Sequence, residues 1–574
     1  MRHFGFLIFV KSGSGMADFP YKCLFCCLKR IPMKLSQTLC FLLMVCIVGR
    51  LSAQDRSIAY MSAGGKLRPL QAIMDIRHYT IALDVDIPKK SIDGYCEISL
   101  ILSKPTDTLL FDLVHLLNVH QVAVDKGNAA FEQKGDSVLI INKAGYKAGK
   151  HIIRINYGGE PPVAVRPPWQ GGFTWTTDKA GNPWVVINCQ LQGAKLFLPC
   201  KDHPSDEPNE GIDMFITIPK GLSVAGPGLL QGVKNVAGNK ATWHWKTNYT
   251  ISTYCMVFNI AKYKVYSRPY TTVDGHTVPI QFYVLEEDTA NASHVIDIRA
   301  RDTRILEKYF GEYPWVNEKI GIAEVPNPGM EHQTMVTYGD KFKYDKYPNG
   351  LDYSANLFHE FGHEWWANKV TNKDWAHMWI QEGINTYAEA LFFKETMGET
   401  AYDSVMVSQR AGIRNLKPVV QGEELDMALV YTGDVYAKGS FFMHTMRHVL
   451  GDSVFFPLLK KFITDVKYPY NRFFTTQDVQ EYFCKGSGRD LNALFDFYLR
   501  TTNTMDFELR KLRPDTYTLS IKNSPMDLDL DILTDTGMVH TTIKANKATP
   551  LKITSKTLPV IDPKGWYFKR VIMQ

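Results

Sequence analysis

The sequence predicts a multidomain α+β chain, with an antiparallel β domain on its amino-terminal side, a helix-rich central region and a small β-sandwich at the end. Three observations carry this. From His78 apolar and polar residues alternate in short runs separated by Gly, Pro, Asp and Lys clusters. From about residue 266 helical periodicity takes over, and after about 505 the two-residue alternation returns. A chain of 574 residues is long enough for about three such units.

In order along the chain, residues 1–53 stand apart from the rest. They hold seven basic residues (Arg2, Lys11, Lys22, Lys29, Arg30, Lys34, Arg50) and one acid, Asp18. Removing them from the chain's 65 basic and 59 acidic residues leaves 58 of each. The remaining body is neutral despite the overall +6, which argues against nucleic acid or an anionic membrane surface as a partner. Residues 33–53 read as a secretory signal: Met33-Lys34, an apolar core over Leu39–Val48, then Leu51-Ser52-Ala53 before Gln54. The core is too short to span a bilayer comfortably, so no integral span is expected after cleavage. Export to the periplasm or the medium follows. The alternative is anchoring, through an uncleaved leader or a lipid on Cys46. Residues 1–32 make a poor leader, and Met33 is an alternative start. Of ten cysteines five lie in the body (Cys96, Cys189, Cys200, Cys255, Cys484), an odd and sparse set that reads as buried thiols with at most one bridge.

Residues 66–265 are expected to form the antiparallel β domain, with strands at Tyr79–Asp86, Cys96–Leu102, Leu109–Val114, Val138–Ile141 and His151–Tyr157. Residues 266–500 form the central domain. There Val295–Phe310 has helical spacing and stops at Gly311, and Ile320–Val325 reads as a strand. Phe441–Leu450 is a helix closed by Gly451, and Asp490–Arg500 is the last helix. Residues 505–574 carry strand-like runs at Tyr517–Ile521, Leu528–Leu533, His540–Lys544 and Leu551–Ile553, with a turn at Asp562–Trp566.

The chemistry centres on Leu357-Phe358-His359-Glu360-Phe361-Gly362-His363-Glu364. Residues four apart on a helix stand on one face, so His359 and His363 can aim two imidazoles at one point. That is the bite of a zinc site, with Glu360 placed to hold a water on the metal. A third protein ligand is required, and eighteen residues after His363 comes Glu382, at the start of another apolar-periodic run (Ile384, Tyr387, Ala388, Leu391). Two antiparallel helices joined by the Thr371–His377 loop would bring it back to the histidines. Glu389, seven residues on and on the same face, is a candidate acceptor for a ligand histidine, a simple salt bridge being the other reading.

The pattern H-E-x-x-H, eighteen residues, then Glu within Trp379-Ile380-Gln381-Glu382-Gly383 resembles the gluzincin aminopeptidases, the aminopeptidase N and leukotriene hydrolase family. The Val370-Thr371-Asn372-Lys373 loop and Trp375 fit it too, and Gln381 stands where the family usually has Asn, a change expected to matter little. The resemblance implies a thermolysin-like fold for the catalytic domain, one zinc on His359, His363 and Glu382, and Glu360 as the base that passes a proton from water to the leaving amine. It places Gly329, Met330 and Glu331, in Asn327-Pro328-Gly329-Met330-Glu331-His332, on the family's G-x-M-E-N loop, whose carboxylate pairs with the free α-ammonium of a bound peptide. Pro328 and His332 depart from that pattern. Gln190, ten residues before the Cys of Pro199-Cys200-Lys201-Asp202-His203-Pro204, falls where the family holds the same amine, with Gln192 as second candidate. Asp202 and His203 lie nearby and are not needed as metal ligands. Val435-Tyr436-Ala437-Lys438-Gly439 makes Tyr436 the phenol that faces the developing oxyanion, with Tyr431 the alternative. His332, His377 and His444 are left as structural or substrate-lining. The family's long carboxyl-terminal helical superhelix is not expected, since too few residues remain. The expected activity is removal of amino-terminal residues from peptides with a free amino terminus. A zinc endopeptidase, an epoxide hydrolase on the same scaffold and a non-enzymatic binding protein are the competing readings.

Overall fold

The computed structural model describes residues 62–466, 472–545 and 550–574. The expected signal segment and the expected cleavage site before Gln54 lie outside them. The chain is a multidomain α+β protein, and its first large element is an eight-stranded sheet. Its strand order is Leu229–Val236, Lys240–Thr247, Ile212–Pro219, Met74–Asp86, Ser91–Leu102, Gly149–Gly159, Leu117–Val124 and Gly127–Asn128. The alternation of the sequence becomes one buried face, where Ile81, Val85, Ile98, Leu100, Ile153, Ile155 and Ile216 are sealed from solvent.

The expectation of a purely antiparallel domain needs one correction. Met74–Asp86 and Ile212–Pro219 run parallel, with Tyr79 opposite Ile212 and Asp84 opposite Thr217. Side-chain alternation is the same whichever way a neighbour runs, so the pattern could not reveal this. A parallel pair needs a long crossover, here the whole of residues 87–211.

The expected boundary at 265/266 also moves. It falls inside the strand Tyr263–Thr271, which forms a hairpin with Thr277–Leu285 (Tyr263 opposite Leu285, Thr271 opposite Thr277). That hairpin continues, through parallel pairings, to Ile320–Glu324 and Val336–Tyr338 as the sheet of the central domain. Tyr263–Thr271 is an edge strand, mostly exposed from Lys264 to Ser267, and so carries no alternation to mark it.

Four helices then position the site. Helix α1 (Ala292–Phe310) ends at Gly311, whose φ of 88° suits a residue without a Cβ. Helix α2 (Ala355–Gly362) is capped by Ser354, whose hydroxyl accepts from the Leu357 amide at 3.1 Å. Helices α3 (Trp379–Met397) and α4 (Gly433–Leu450) follow. The helix expected from Phe441 thus starts two turns earlier, at Gly433. Its glycines hid it, because Gly is a poor helix former. Gly439 is nevertheless required, because α3 and α4 cross at a Gly383–Gly439 contact. A Cβ on Gly383 would lie 2.7 Å from the Gly439 Cα, and one on Gly439 2.9 Å from the Gly383 Cα.

Gly383→Ala is therefore expected to destabilise the fold by about 1–3 kcal/mol, the usual cost of overpacking, although alanine is the better helix former by about 1 kcal/mol. A denaturant melt checks this; a midpoint unchanged or raised would contradict so close a crossing.

The last expected helix is a short α-turn, Asn492–Phe495, running into a π-helical segment, Asp496–Arg500. Beyond it two sheets make the carboxyl-terminal β unit. One joins Leu551–Thr554, Thr516–Lys522, Met505–Arg513 and Lys569–Met573, the other Gly537–Ile543, Leu528–Thr534 and Val560–Ile561. The five body cysteines are free thiols, four of them buried.

Candidate metal centre and peptide cleft

Three side chains from α2 and α3 converge. His359 lies in the last turn of α2, and His363 follows one residue past Gly362 with its backbone still helical (φ −64°, ψ −16°), so the four-residue spacing keeps both rings on one side. Glu382 stands in the first turn of α3. The approach of the two helices depends on Gly362, where a Cβ would meet the Asn385 Oδ1 at 2.0 Å; the Asn385 amide in turn donates to the His359 carbonyl at 2.7 Å.

The His359 and His363 Nε2 atoms are 3.2 Å apart, and the Glu382 Oε2 lies 3.5 Å and 3.3 Å from them. A tetrahedral ion with bonds of about 2.0–2.1 Å has ligand–ligand edges of about 3.3–3.4 Å, so this triangle has the size of one face of a zinc site. Two further observations fit. The Glu382 Oε2 is buried without a hydrogen-bond partner among the described residues. Each imidazole is oriented through its other nitrogen: the His359 Nδ1 lies 2.8 Å from the Glu389 Oε1, and the His363 Nδ1 lies 2.8 Å from the Trp366 carbonyl oxygen. Donation from both Nδ1 atoms leaves both Nε2 lone pairs directed at the same point as Glu382. Burial pushes the Glu382 carboxyl up, but the two histidines outweigh it and draw it below the usual carboxylate range.

Glu360 is outside this triangle and beside it. Its Oε1 accepts from the Asn356 Nδ2 at 3.2 Å, and one of its oxygens lies within 4.8 Å of donor atoms of Glu331 and His363. Burial pushes its carboxyl up to about 7, against the pull of His359. Such a group can take and return a proton near neutrality.

Glu331 is almost fully buried, and its Oε1 is caged. It accepts from the Gln190 Nε2 at 2.5 Å, the Tyr254 Oη at 2.9 Å and the Gln381 Nε2 at 3.1 Å. Gln190 and Glu331 therefore meet directly. The loop around Glu331 is pinned to the segment after His363: the Asn368 amide donates to the Glu331 carbonyl at 2.9 Å, and the Thr334 amide to the Glu364 Oε1 at 2.8 Å. Met330 and Thr337 exchange backbone hydrogen bonds of 3.3 and 3.0 Å. A Cβ on Gly329 would lie 2.2 Å from the Thr337 carbonyl oxygen, so the residue type is fixed there by close packing.

Tyr436, in the first turn of α4, has its ring 6.1 Å from that of His359 and its hydroxyl 2.7 Å from that of Tyr431. Both tyrosines named from the sequence are thus adjacent. Burial pushes the Tyr436 phenol well above its ordinary value, so it keeps its proton and can donate.

Other candidates are held elsewhere. The Gln192 amide accepts from the Gly171 amide at 2.9 Å and donates to the Trp169 carbonyl at 3.2 Å, holding a surface hairpin. Asp202 pairs with Lys195 at 3.1 Å, and the His203 Nε2 lies 3.0 Å from the Gly65 carbonyl oxygen. His377 bonds to Thr476, and His444 bonds to Tyr402 and stacks on Trp566 at 4.4 Å. His332 is buried and pushed down to about 3 by that burial, hence neutral. Sequence reasoning missed Tyr254 and gave Gln381 no role. Adjacency to Glu382 was the one signal for Gln381; Tyr254, in a short 3₁₀ turn over Thr253–Cys255, had none.

Comparison with known proteins agrees with this architecture. The description "Peptidase family M1 domain" matches residues 296–498, and "Peptidase M1 N-terminal domain" matches residues 76–255. Aminopeptidase M1-C of Oryza sativa subsp. japonica is 20% identical over 421 residues, 69% of this chain and 46% of that protein. Aminopeptidase N of Lactococcus lactis subsp. lactis is 22% identical over 446 residues, 74% of this chain and 50% of that protein. The chain spans about half the length of these relatives. Among solved structures, an M1 zinc metallopeptidase from Deinococcus radiodurans shares the fold with a TM-score of 0.63 at 20% identity, over 77% of this chain and 96% of that one. A mutant of it bound to a Tyr-Ser-Ala substrate gives 0.61 at 20% identity, over 76% of this chain and 95% of that one.

Proposed function

Because the chain belongs to the M1 peptidase family, we propose that it is a zinc-dependent aminopeptidase that removes residues from the free amino terminus of peptides. The observation that carries this reading is the caged Glu331 carboxylate, which lies within 4.8 Å of the donor atoms of Glu360 and His363. A fixed anion one residue's reach from the site of bond cleavage selects a substrate whose first nitrogen is a cation.

His359, His363 and Glu382 would hold the zinc, which when bound supplies a Lewis acid for the scissile carbonyl and lowers the pKa of a water. Glu360 takes the proton of the attacking water and delivers it to the departing amine. Tyr436 donates its hydroxyl to the carbonyl oxygen as negative charge builds there, which counts for most in a site closed to water. Glu331 binds the ammonium, Gln190 holds that carboxylate in place, and the backbone of Gly329 and Met330 lines the path of the peptide.

The test compares a peptide having a free amine with its N-acetylated twin. The free peptide is expected to be cleaved at least about a hundredfold faster, since the acetyl group removes the charge that Glu331 pairs with and leaves that anion buried. Equal rates would point to an endopeptidase instead.

We also propose that the chain is exported, on the signal-like pattern of Met33–Ala53. Among the described residues no helix is long and apolar enough to cross a membrane. Amino-terminal sequencing of the mature protein is expected to begin at Gln54; a chain that keeps residues 33–53 would favour the anchored alternative.

A further inference from the structure

Gln381 and Glu382 open α3 together. Both amides hydrogen-bond to the Met378 carbonyl, at 3.0 and 2.9 Å, and both side chains are almost fully buried. Successive side chains on a helix diverge by about 100° around its axis. The two side chains therefore leave the helix in different directions. Glu382 reaches the imidazole pair. Gln381 reaches the neighbouring carboxylate, where its Nε2 meets the Glu331 Oε1 at 3.1 Å and the Tyr254 hydroxyl at 3.4 Å.

We propose that Gln381 is a positioning residue, tying the carboxylate of Glu331 to the same peptide unit that carries the metal ligand Glu382. The inference rests on the aminopeptidase reading above. The main chain at Glu331 is anchored separately, through Asn368 to the segment after His363. What Gln381 adds is control of the carboxyl group itself. Three donors from three parts of the chain (Gln190 and Tyr254 from the amino-terminal β region, Gln381 from α3) converge on one oxygen, which fixes the rotation of the carboxylate. Of the three, Gln381 alone is the sequence neighbour of a residue of the metal triangle, Glu382. It thereby sets the separation between the ion and the anion, the dimension that decides how many residues lie between the substrate's ammonium and its scissile bond. The length of the side chain matters. An Asn at 381 would be shorter by one methylene, about 1.5 Å, and its amide could not reach Oε1 without a shift of the helix.

The test uses the full chain loaded with zinc, as wild type, as Gln381→Met (similar length, no donor) and as Gln381→Asn. For each, kcat and KM are measured on the wild type's best free-amine dipeptide substrate and on its N-acetylated twin, with zinc per chain and melting midpoint from the same samples. A hydrogen bond to a charged group is commonly worth a factor of about ten or more. The expected result is a rise in KM of about tenfold on the free-amine substrate, kcat within about threefold, an equal fall in the preference over the acetylated twin, and unchanged zinc content. Full retention of KM and preference in both variants, in a wild type that does discriminate, would overturn the inference and leave the aminopeptidase reading standing. So would a loss of zinc or of kcat with the preference intact, because that is the mark of a structural role. A wild type indifferent to acetylation would overturn both.

Discussion

Replacing Glu360 by Gln is expected to leave the metal bound and to lower kcat by about 10³- to 10⁵-fold. The metal is retained because Glu360 lies outside the triangle of His359, His363 and Glu382, whose donor atoms are 3.2 to 3.5 Å apart. The amide is nearly isosteric, and its carbonyl oxygen can still accept from Asn356, whose Nδ2 now lies 3.2 Å from the carboxylate. What it cannot do is take a proton. The carboxylate both removes the proton of the attacking water and supplies one to the leaving amine, so a single substitution disables both transfers. Zinc per chain by atomic absorption, with kcat on the same preparation, checks this. Turnover near that of the wild type would remove Glu360 from the role of base.

The second large effect is expected at Glu331. Glu331→Gln keeps the shape of the cage but removes its charge. On free-amine peptides kcat/KM should fall by about 10²- to 10³-fold, as when one partner of a buried, hydrogen-bonded ion pair is lost. The residual rate on an N-acetylated twin should barely change, because that substrate never had the pairing. Burial pushes the Glu331 carboxyl up, and a bound ammonium beside it acts in the opposite direction. An equal loss on both substrates would mean that the variant had damaged the cleft in general and that Glu331 does not read the amine.

How much of this was legible in the sequence depends on whether a contact follows from local geometry. His359, His363 and Glu389 are fixed by helical periodicity, and Glu382 by the need for a third ligand; the structure places Glu389 2.8 Å from His359. Alternating runs gave the strands, but alternation is blind to strand direction, so the parallel pairing of Met74–Asp86 was hidden. It is also blind to exposed edge strands, so Tyr263–Thr271 was divided between two domains. At α4 the helical signal is weakened by Gly433 and Gly439, which precede the helix expected from Phe441. Gly439 in fact serves the crossing with Gly383, a tertiary demand that overrides propensity. The cage around Glu331 was the least readable part, because Tyr254, Gln190 and Gln381 come from three separate stretches with no spacing in common.

The most direct test of the account is a crystal of the chain with a non-hydrolysable free-amine peptide analogue, measured at the zinc absorption edge. A single anomalous peak about 2.0–2.2 Å from the His359 Nε2, the His363 Nε2 and a Glu382 oxygen is expected, with the analogue's amine in hydrogen-bonding contact with Glu331. A peak away from that triangle, or an amine turned away from Glu331, would contradict it.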